Sequence, residues 1–498
     1  MKYKMRKHMR KAVIILLWLI VWQIAAVWTD NQILLVGPVQ VLRTFVQNMT
    51  QPDFLKTVLY SFARIGLGFF LALCVGIVLG ALSYRFPIAE ELAAPVMAAL
   101  KSIPVASFVV LLLVWFGSSK VSFLISFLIV FPNVYVNTIA GLKSADTKLL
   151  EMARVFGMSR TNCFFYIYRP ALMPYLSSCL KISLGMSWKS GVAAEVIGLP
   201  DYSLGEQLYM SKIYLDTAGL FAWTLLIVLV SFLFEKAVLW LVKAYGEWKP
   251  YPFFTSKPEA GVKALWSWNL QGTTRPAPEQ AGVSDGISVS HVSKAFEELT
   301  VFKDYSLTME KGQRYLMMAP SGAGKTTFLR ILIGLDNADE GTVVGMPTHA
   351  GMVFQEDRLC EEYDAVCNIM LCMGKSGIAG KENGGYDMGR AQLIDFVRKE
   401  AAMILPEDCL TKPVKELSGG MRRRVALLRA VLSASELLIL DEPFAGLDEE
   451  NRARSAAYLL EHLHGRTLLV TTHREDDVKL LQGVKVTLVF SKSLCYNA

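Results

Sequence analysis

Three features are scarce or missing in this 498-residue chain, and each absence narrows what the protein can be. Only 19% of the residues are charged while 53% are hydrophobic, which is too apolar a balance for an ordinary water-soluble protein. The eight cysteines are scattered, and the absence of any Cys-x-x-Cys pair argues against a zinc ribbon or a thioredoxin-like redox motif. We therefore expect free thiols in a reducing compartment. No internal repeat occurs.

Charge is divided unevenly along the chain. Residues 1–284 hold 26 Lys and Arg against 14 Asp and Glu, which gives +12, whereas residues 285–498 hold 25 against 30, which gives −5. The first part is accordingly a basic, apolar region and the second a mildly acidic, water-soluble one. Basic loops of a membrane protein explain the excess positive charge, so we expect no nucleic-acid partner.

Six apolar runs approach the length of about 20 residues that spans a bilayer. They are residues 12–28, 57–84, 95–116, 121–142, 172–198 and 218–242. If the basic N-terminus lies on the cytoplasmic side of the membrane, the loop 143–169 lies on that side too. This loop carries more Lys and Arg than the loops on the outer side. Six crossings also return residues after 243 to the inner side. We expect the first run to be a retained helix rather than a cleaved signal peptide, because no small-x-small site follows it.

A glycine-rich segment, residues 319–327 (Ala-Pro-Ser-Gly-Ala-Gly-Lys-Thr-Thr), lies between a strand-like run and a helix-like run. Such a turn aims backbone N–H groups and the positive end of the helix dipole into one concavity. Lys325 and the hydroxyl of Thr326 complete the pattern of a cradle for phosphate and Mg²⁺. Ala319 replaces the first glycine of the pattern, and Ala tolerates tight backbone geometry better than a branched residue does.

Further motifs follow downstream of this segment. They are Gln355 in Met-Val-Phe-Gln-Glu, Leu-Ser-Gly-Gly-Met at 417–421 before a basic helix, an apolar strand ending in Asp441 and Glu442, Ala-Gly-Leu-Asp at 445–448, and His473 after another apolar strand. This set, in this order, resembles the ATPase of an ATP-binding cassette (ABC) transporter. The resemblance runs from about residue 286 to the C-terminus and implies an α/β P-loop NTPase fold.

The resemblance also implies roles for individual residues. The phosphates of ATP would be bound by Ser321, Gly322, Ala323, Gly324, Lys325, Thr326 and Thr327. Thr326, Gln355 and Asp441 would hold Mg²⁺, Glu442 would polarise the attacking water, and Gln355 and His473 would contact the γ-phosphate. Ser418, Gly419 and Gly420 would close over ATP bound to a second subunit. Phe296 would stack on adenine; the alternative is a core residue at a strand edge.

The inner loop after the fourth apolar run has a helical pattern that ends at Gly157. By pattern alone it could also be an amphipathic element on the membrane surface. Glu151, Ala153 and Gly157, with Ile167-x-x-Pro170, resemble the "EAA" loop of ABC importer permeases, which forms a coupling helix that docks on the ATPase. Met152 and Arg169 depart from that pattern.

Residues 185–198 and 204–205 resemble the nitrate/sulfonate/taurine branch of importer permeases, a likeness that covers residues 50–245. Lys181, Lys189 and Glu195 fall in the fifth apolar run. Ionisable residues inside spans are costly and often functional, so Lys189 and Glu195 are candidates for lining the substrate path. Snorkelling or a structural pairing between helices is the alternative.

We therefore expect an α-helical membrane domain of six spans, type I importer-like, at 1–249, a linker at 250–284, and the ATPase at 285–498. The resemblance implies ATP-driven import of a small solute, such as a sulfonate, taurine or nitrate, by a homodimer in the cytoplasmic membrane. It also implies a separate extracytoplasmic solute-binding protein. The alternatives are an exporter or lipid translocase, and an ATP-dependent regulator that transports nothing.

Overall fold

The computed structural model describes residues 2–29, 31–252, 286–296, 299–320, 323–347, 350–373 and 390–487. It divides the chain into two compact units. The first comprises Met1–Ser144 and Ala171–Trp248, and the second comprises Ala145–Pro170 and Lys249–Ala498. The predicted domains differ from this division at the inner loop, which belongs to the second unit. Most of the predicted linker, 253–284, lies outside the described residues.

The described part of the first unit is helical. Its helices are α1 (Lys2–Thr29), α2 (Pro38–Met49), α3 (Phe54–Arg85), α4 (Pro87–Ser102), α5 (Val105–Phe116), α6 (Ser118–Lys143), α9 (Arg169–Gly198), α10 (Leu204–Ile213) and α11 (Thr217–Glu247). Among the described residues, α3, α6 and α11 are long and apolar enough to cross a membrane, and α4 with α5 makes a fourth if that pair is one span. The first predicted run is a shorter apolar helix, Val13–Thr29, and the fifth lies in α9. A count of six spans stays a prediction.

The predicted third run, 95–116, is not one straight helix. Helices α4 and α5 meet there at an angle of 103°. The cause is local, because Pro104 disfavours helical backbone at the residue before it, and Ile103 is extended with φ −73° and ψ 130°. The predicted run therefore consists of the end of α4 and the whole of α5.

Close packing of α3 on α6 holds the first unit together. Small residues recur at spacing four on one face of α3, at Gly68, Ala72, Gly76 and Gly80, and all four are buried. A Cβ atom at Gly76 would lie 2.8 Å from Val134 Cγ1, so the two helices approach more closely than larger residues allow. Helix association inside a membrane uses small residues in this way.

The second unit contains two sheets in the described part of the chain. Its strands are β1 (Gly286–Phe296), β2 (Leu299–Glu310), β3 (Arg314–Met318), β4 (Glu340–Val344), β5 (Ala350–Val353), β6 (Leu437–Asp441), β7 (Thr467–Thr472) and β8 (Val484–Thr487). One sheet is antiparallel with the order β2-β1-β4, and the other is parallel with the order β5-β6-β7-β3-β8. Every residue of β6 and β7 is buried, as expected of a central parallel sheet covered on both faces.

Helices of the second unit surround these sheets. They are α7 (Thr147–Val155), α8 (Arg160–Cys163), α12 (Lys325–Leu332), α13 (Ala365–Met370), α14 (Arg390–Ala402), α15 (Gly419–Val431), α16 (Glu449–Glu461) and α17 (Glu475–Leu481). The inner loop contributes α7 and α8, followed by one π-helical turn, Phe164–Tyr168. Its side chains Met152, Val155, Phe156 and Tyr166 are part of the same hydrophobic core as the strands. The loop is thus packed into the ATPase unit, which disagrees with an element lying on the membrane surface.

Candidate functional site

The candidate site lies at one edge of the parallel sheet. Strands β3, β6 and β7 are parallel neighbours, so their carboxyl ends meet at the same edge. The segments after these ends carry the predicted residues: Ala319 after β3, Glu442 after β6 and His473 after β7. Asp441, the last residue of β6, pairs in register with Thr471 of β7. The motifs that are far apart in sequence therefore converge at this edge.

The glycine-rich segment leads into α12 as predicted. Gly324 has φ +79°, a conformation that Gly adopts without strain, and α12 begins at the next residue. Lys325 is only 7% exposed, and its Nζ donates a 2.5 Å hydrogen bond to the carbonyl of Ala319. Ala319 thus provides the backbone oxygen that holds the lysine in place. Ala323 is buried and Thr327 half-buried, while Ser321 and Gly322 lie outside the described residues.

The carboxylate of Asp441 is positioned to bind a cation. The carboxylate is 2% exposed, and Thr326 Oγ1 donates to its Oδ2 at 2.8 Å while Thr471 Oγ1 donates to its Oδ1 at 2.5 Å. A hydroxyl and a carboxylate side by side are hard oxygen ligands of the kind that Mg²⁺ takes beside nucleotide phosphates. Thr326 and Asp441 therefore fit the predicted metal site.

Glu442 is held differently from Asp441. Its backbone has φ 47°, the left-handed region that non-glycine residues seldom occupy, and its N–H donates to the carbonyl of Thr471 at 3.1 Å. One carboxylate oxygen, Oε1, lies 3.3 Å from His473 Nδ1 and 4.0 Å from Lys325 Nζ. The strained backbone aims this carboxylate toward the lysine and the histidine. This places Glu442 where a carboxylate could orient a water beside a bound phosphate.

The other predicted nucleotide contacts are exposed. Phe296 ends β1 and is 50% exposed, which excludes the alternative of a core residue. Gln355 is exposed in the segment after β5. Ser418 is the N-cap of α15, with its Oγ accepting from the Met421 N–H at 3.3 Å. A Cβ atom added at Gly419 would meet no atom within 4 Å, so that face is open to a partner.

Arg423 is a site residue that sequence reasoning missed. Its guanidinium is buried and donates on one side to the carbonyls of Phe354, at 2.6 Å, and Gln355, at 3.2 Å. On the other side it donates to the carbonyls of Asp441 and, at 2.7 Å, Glu442. One side chain of α15 thereby holds together the Gln355 segment and the end of β6. The sequence showed only a basic run at 422–424.

The inner loop binds the same helix that begins at the phosphate cradle. Arg330 of α12 donates two 3.0 Å hydrogen bonds to the Glu151 carboxylate, and Arg358 donates a third at 2.7 Å. Burial raises the pKa of Glu151, but the hydrogen bonds and charges of both arginines outweigh it and leave the pKa below its usual range. Glu151 therefore stays ionised, and the charge is compensated from two directions.

The remaining residues of the predicted coupling motif have structural explanations. Asp146 caps α7 by accepting from the Lys148 N–H at 2.8 Å, Ala153 is 4% exposed, and Gly157 has φ 62° just after the helix. The two departures from the pattern are buried as well. Met152 packs in the core, and Arg169 donates to Tyr363 Oη at 3.0 Å. Both substitutions are accommodated within the ATPase unit.

The two candidates for a substrate path are placed differently from each other. Lys189 is exposed on α9. Glu195 is fully buried in the first unit, where Ser61 Oγ donates to its Oε2 at 2.8 Å and the Gly205 N–H donates at 3.3 Å. The structure does not bring the two side chains onto one polar stripe. Glu195 instead connects α9 to α3 and α10.

The cysteine thiols match the expectation of free thiols. All seven cysteines that the structure describes are unpaired with one another, and Cys495 lies outside the described residues. Burial raises the pKa of Cys360 and of Cys372 to about 12. These thiols stay protonated at neutral pH and are poor nucleophiles.

Two family models match consecutive parts of the chain. Residues 72–246 match the binding-protein-dependent transport system inner membrane component, and residues 302–445 match the ABC transporter ATPase. A permease domain and an ATPase domain are therefore fused in one polypeptide. The first model covers most of the first unit, and the second contains the phosphate cradle and the carboxylates described above.

Individual relatives match the ATPase part of the chain. An aliphatic sulfonates import ATP-binding protein of Rhodococcus jostii is 32% identical over 43% of this chain and 75% of its own length. A lipoprotein-releasing system ATP-binding protein of Bacteroides fragilis is 32% identical over 39% of this chain and 94% of its own. A sulfate/thiosulfate import ATP-binding protein of Xanthomonas campestris is 35% identical over 39% of this chain. The matched part spans only 58% of the length of that relative.

Proposed function

This chain belongs to the ABC transporter family, and we propose that it hydrolyses ATP to import a small solute across the cytoplasmic membrane. The observation that carries the proposal is the bidentate pair between Glu151 and Arg330. Arg330 lies five residues after Lys325 on α12, and Glu151 lies on the loop between two apolar helices. One short helix thus connects the phosphate cradle to the permease loop. ATP hydrolysis at the N-terminal end of α12 can thereby shift the position of the inner loop, which is bound at Arg330.

Import is favoured over export by the permease part. The ATPase relatives include both import proteins and a releasing system, so the ATPase part does not by itself set the direction. Residues 72–246 match a permease family described as dependent on a binding protein. We propose a separate extracytoplasmic solute-binding protein as the partner, and two copies of this chain as the complete transporter.

The residues of the site fit a division of labour in hydrolysis. Lys325 and the N-terminus of α12 neutralise the β- and γ-phosphates of ATP, and His473 donates a hydrogen bond to the γ-phosphate. Glu442 orients the attacking water and accepts its proton. Bound Mg²⁺, held by Thr326 and Asp441 with Gln355 nearby, would neutralise charge on the phosphate oxygens. Phe296 stacks on adenine, and Ser418 to Gly420 of a second copy complete the site.

The solute is proposed to be a small organic anion such as a sulfonate or taurine, or nitrate. The sulfonate-import role of the Rhodococcus jostii relative supports the sulfonate class. Lys189, exposed on α9, offers a positive charge to such an anion in a completed translocation path. The buried Glu195 contributes to that path by fixing the end of α9 against α3 and α10.

Glu442→Gln tests the hydrolytic role. The amide retains the shape of the side chain but cannot accept a proton, so we expect ATPase turnover in lipid to fall by about 10²- to 10⁴-fold. ATP binding should be retained. The matched control is Glu450→Gln, which makes the same change at an exposed position in α16 and should leave turnover unaltered.

Uptake into vesicles then separates the candidate functions. Import predicts that an anionic solute accumulates with ATP on the side of the ATPase, and that its binding protein raises ATPase turnover. Efflux of solute or lipid movement without a binding protein would establish export instead. ATPase turnover controlled by a protein partner, with no flux, would establish a regulator. A parent protein that hydrolyses no ATP in any lipid would contradict the proposal.

A further inference from the structure

The first four residues after Trp248, Lys249 to Pro252, are anchored on the ATPase unit. We refer to residues 249–252 as the tether. Pro250 and Pro252 are buried, and Tyr251 is half-buried against the hydrophobic core of that unit. A passive linker would expose such residues to solvent, because its role is only to connect two domains. The burial of Pro250 and Pro252 and the packing of Tyr251 between them indicate a bound segment.

Polar contacts fix the tether to a short stretch of the ATPase, residues 362–364, and to the first residue of α14. Lys249 Nζ donates to the carbonyl of Glu362 at 2.5 Å, and Tyr251 Oη donates to Asp364 Oδ2 at 3.3 Å. Arg390 Nη2 donates to the carbonyl of Tyr251 at 2.5 Å. Side chains and backbone of the tether are both engaged. The attachment therefore has a defined register.

The inner loop reaches the same stretch from another direction. Tyr166 Oη donates to the carbonyl of Pro250, and the Tyr166 ring centroid lies 4.6 Å from that of Tyr363. Tyr363 Oη accepts from Arg169 at 3.0 Å and donates to the carbonyl of Phe165 at 3.2 Å. Tyr363 and its neighbours thus contact the end of the inner loop and the tether together. This contact is separate from the one that Glu151 makes with Arg330.

Asp364 gives the tether a direct connection to a helix. Its Oδ1 accepts from the Cys367 N–H at 2.7 Å and caps α13, while its Oδ2 accepts from Tyr251. At the N-terminal end of the tether, only Trp248 lies between Lys249 and α11, which ends at Glu247. Consecutive Cα atoms are about 3.8 Å apart, so this single residue leaves little slack between the last turn of α11 and the tether.

We propose that residues 249–252 are a second mechanical connection between permease and ATPase. The tether transmits movement of α11 to residues 362–364 and the N-cap of α13, beside the connection that the inner loop makes. This inference rests on the proposed function, since it concerns how transport and hydrolysis are coupled. The inference goes beyond the proposed function because it assigns a coupling role to the segment that joins the permease part to the ATPase part.

Two insertions of Gly-Ser-Gly-Ser test the proposal. Placed after Trp248, the insertion lengthens the path between α11 and the anchored tether while leaving the tether's contacts intact. Placed after Ala260, it lengthens the connection beyond the tether and serves as the matched control. We expect only the first insertion to lower solute transported per ATP, by about 2- to 30-fold, the range found for changes along coupling networks. Equal ratios for the two insertions would overturn the proposal.

Hydrogen exchange provides a readout that does not need transport. The double variant Lys249→Met, Tyr251→Phe removes both side-chain donors, so amides of residues 361–373 should exchange faster than in the parent. Lys243→Met, which removes an exposed lysine paired with Glu247 within α11, should leave them unchanged. Unchanged exchange in the double variant would refute the anchored tether. If the parent hydrolysed no ATP, the proposed function would fail, and this measurement would still decide whether the tether is bound.

Discussion

At the scale of single residues, Arg423 connects the two sides of the hydrolytic site. It binds the backbone of Gln355 on one side and that of Glu442 on the other, and it is buried. A buried guanidinium costs desolvation and is retained when it makes several hydrogen bonds. Since its contacts are with backbone carbonyl oxygens and with the carboxylate of Asp357, Arg423 acts on the position of Gln355 and Glu442 rather than on the substrate. We infer a positioning role.

Arg423→Gln should therefore lower kcat more than it changes the KM for ATP. Loss of a hydrogen bond from a charged donor costs about 1.5 to 3 kcal/mol, and each 1.36 kcal/mol in the barrier is about tenfold in rate. We expect kcat to fall by roughly tenfold or more, with partial recovery in Arg423→Lys. Steady-state ATPase kinetics of the purified protein would measure both constants.

The neighbouring Arg422 provides the control for this prediction. Arg422 is partly exposed and pairs with Glu361 at 3.2 Å and with Asp357 at 3.8 Å. Asp357 also pairs with Arg423, so the two variants share that lost ion pair and differ in the contacts that Arg423 makes with the carbonyls of Gln355 and Glu442. Arg422→Gln removes the same charge from the same helix and should leave kcat within about twofold of the parent, as is usual for surface changes. Equal losses in the two variants would show that general helix stability, not the position of Glu442, is affected.

At the scale of elements, α7 is the helix through which the permease loop enters the ATPase core. It is only nine residues long, which is marginal for a helix in isolation, so tertiary packing must stabilise it. That packing comes from Met152 and Val155, and the orientation comes from Glu151 between two arginines. The hydrophobic contacts hold the helix in place, and the ion pairs set its direction.

Glu151→Gln should uncouple transport from hydrolysis. The amide loses the ionic part of the contact with Arg330 and Arg358, so solute transported per ATP should fall while basal ATPase turnover persists. Uptake and ATPase measured on the same vesicles would give the ratio. Glu90→Gln, at an exposed pair with Lys143 in the first unit, is the control and should leave the ratio unchanged.

The same contact has a defined pH dependence. The folded-state pKa of Glu151 lies below its ordinary value of 4.5. The contacts of Glu151 with Arg330 and Arg358 therefore stabilise the folded protein fully at pH values above 4.5. The stabilisation is lost as pH falls through the folded-state pKa. Acid unfolding should consequently begin at higher pH in Glu151→Gln than in the parent, and a pH titration of intrinsic fluorescence would detect the difference.

At the scale of the whole molecule, one chain holds one permease part and one ATPase part. The signature segment Ser418 to Gly420 is exposed or half-exposed, and Ser418 caps α15 at its surface. A site that needs this segment from a second copy would require a homodimer, in which each nucleotide contacts Lys325 of one chain and Ser418 of the other.

Mixing two inactive variants tests this composite site. Lys325→Ala removes the phosphate ligand, and Ser418→Arg blocks the signature segment, so neither homodimer should retain ATP. A mixed dimer has one intact site, formed by Lys325 of one chain and Ser418 of the other. We expect co-expressed variants to retain ATP after desalting at a level above the mean of the separate variants. Retention equal to that mean would argue against composite sites.

Local patterns in the sequence were sufficient to find the elements of the candidate site. The turn before Lys325 is a short strand–turn–helix unit whose geometry depends on adjacent residues, and the structure places it between β3 and α12 as predicted. The family resemblance assigned Thr326 and Asp441 to one Mg²⁺ site, and the structure places the two side chains within one hydrogen bond of each other. The bend at Ile103 and Pro104 was also encoded locally, but the continuous apolar run around it concealed the break.

Composition and periodicity by themselves indicated that an apolar helical part precedes a water-soluble part. The motifs, through their resemblance to a known family, indicated an ATPase and the candidate residues for binding ATP. Only the tertiary structure decided that Glu151 meets Arg330 and Arg358, that Arg423 reaches Glu442, that Tyr251 binds Asp364, and that Glu195 is buried while Lys189 is exposed. The physical reason is sequence separation. The geometry of a short motif is set by the backbone conformation of neighbouring residues. Contacts between residues far apart in sequence depend on how whole helices and strands pack.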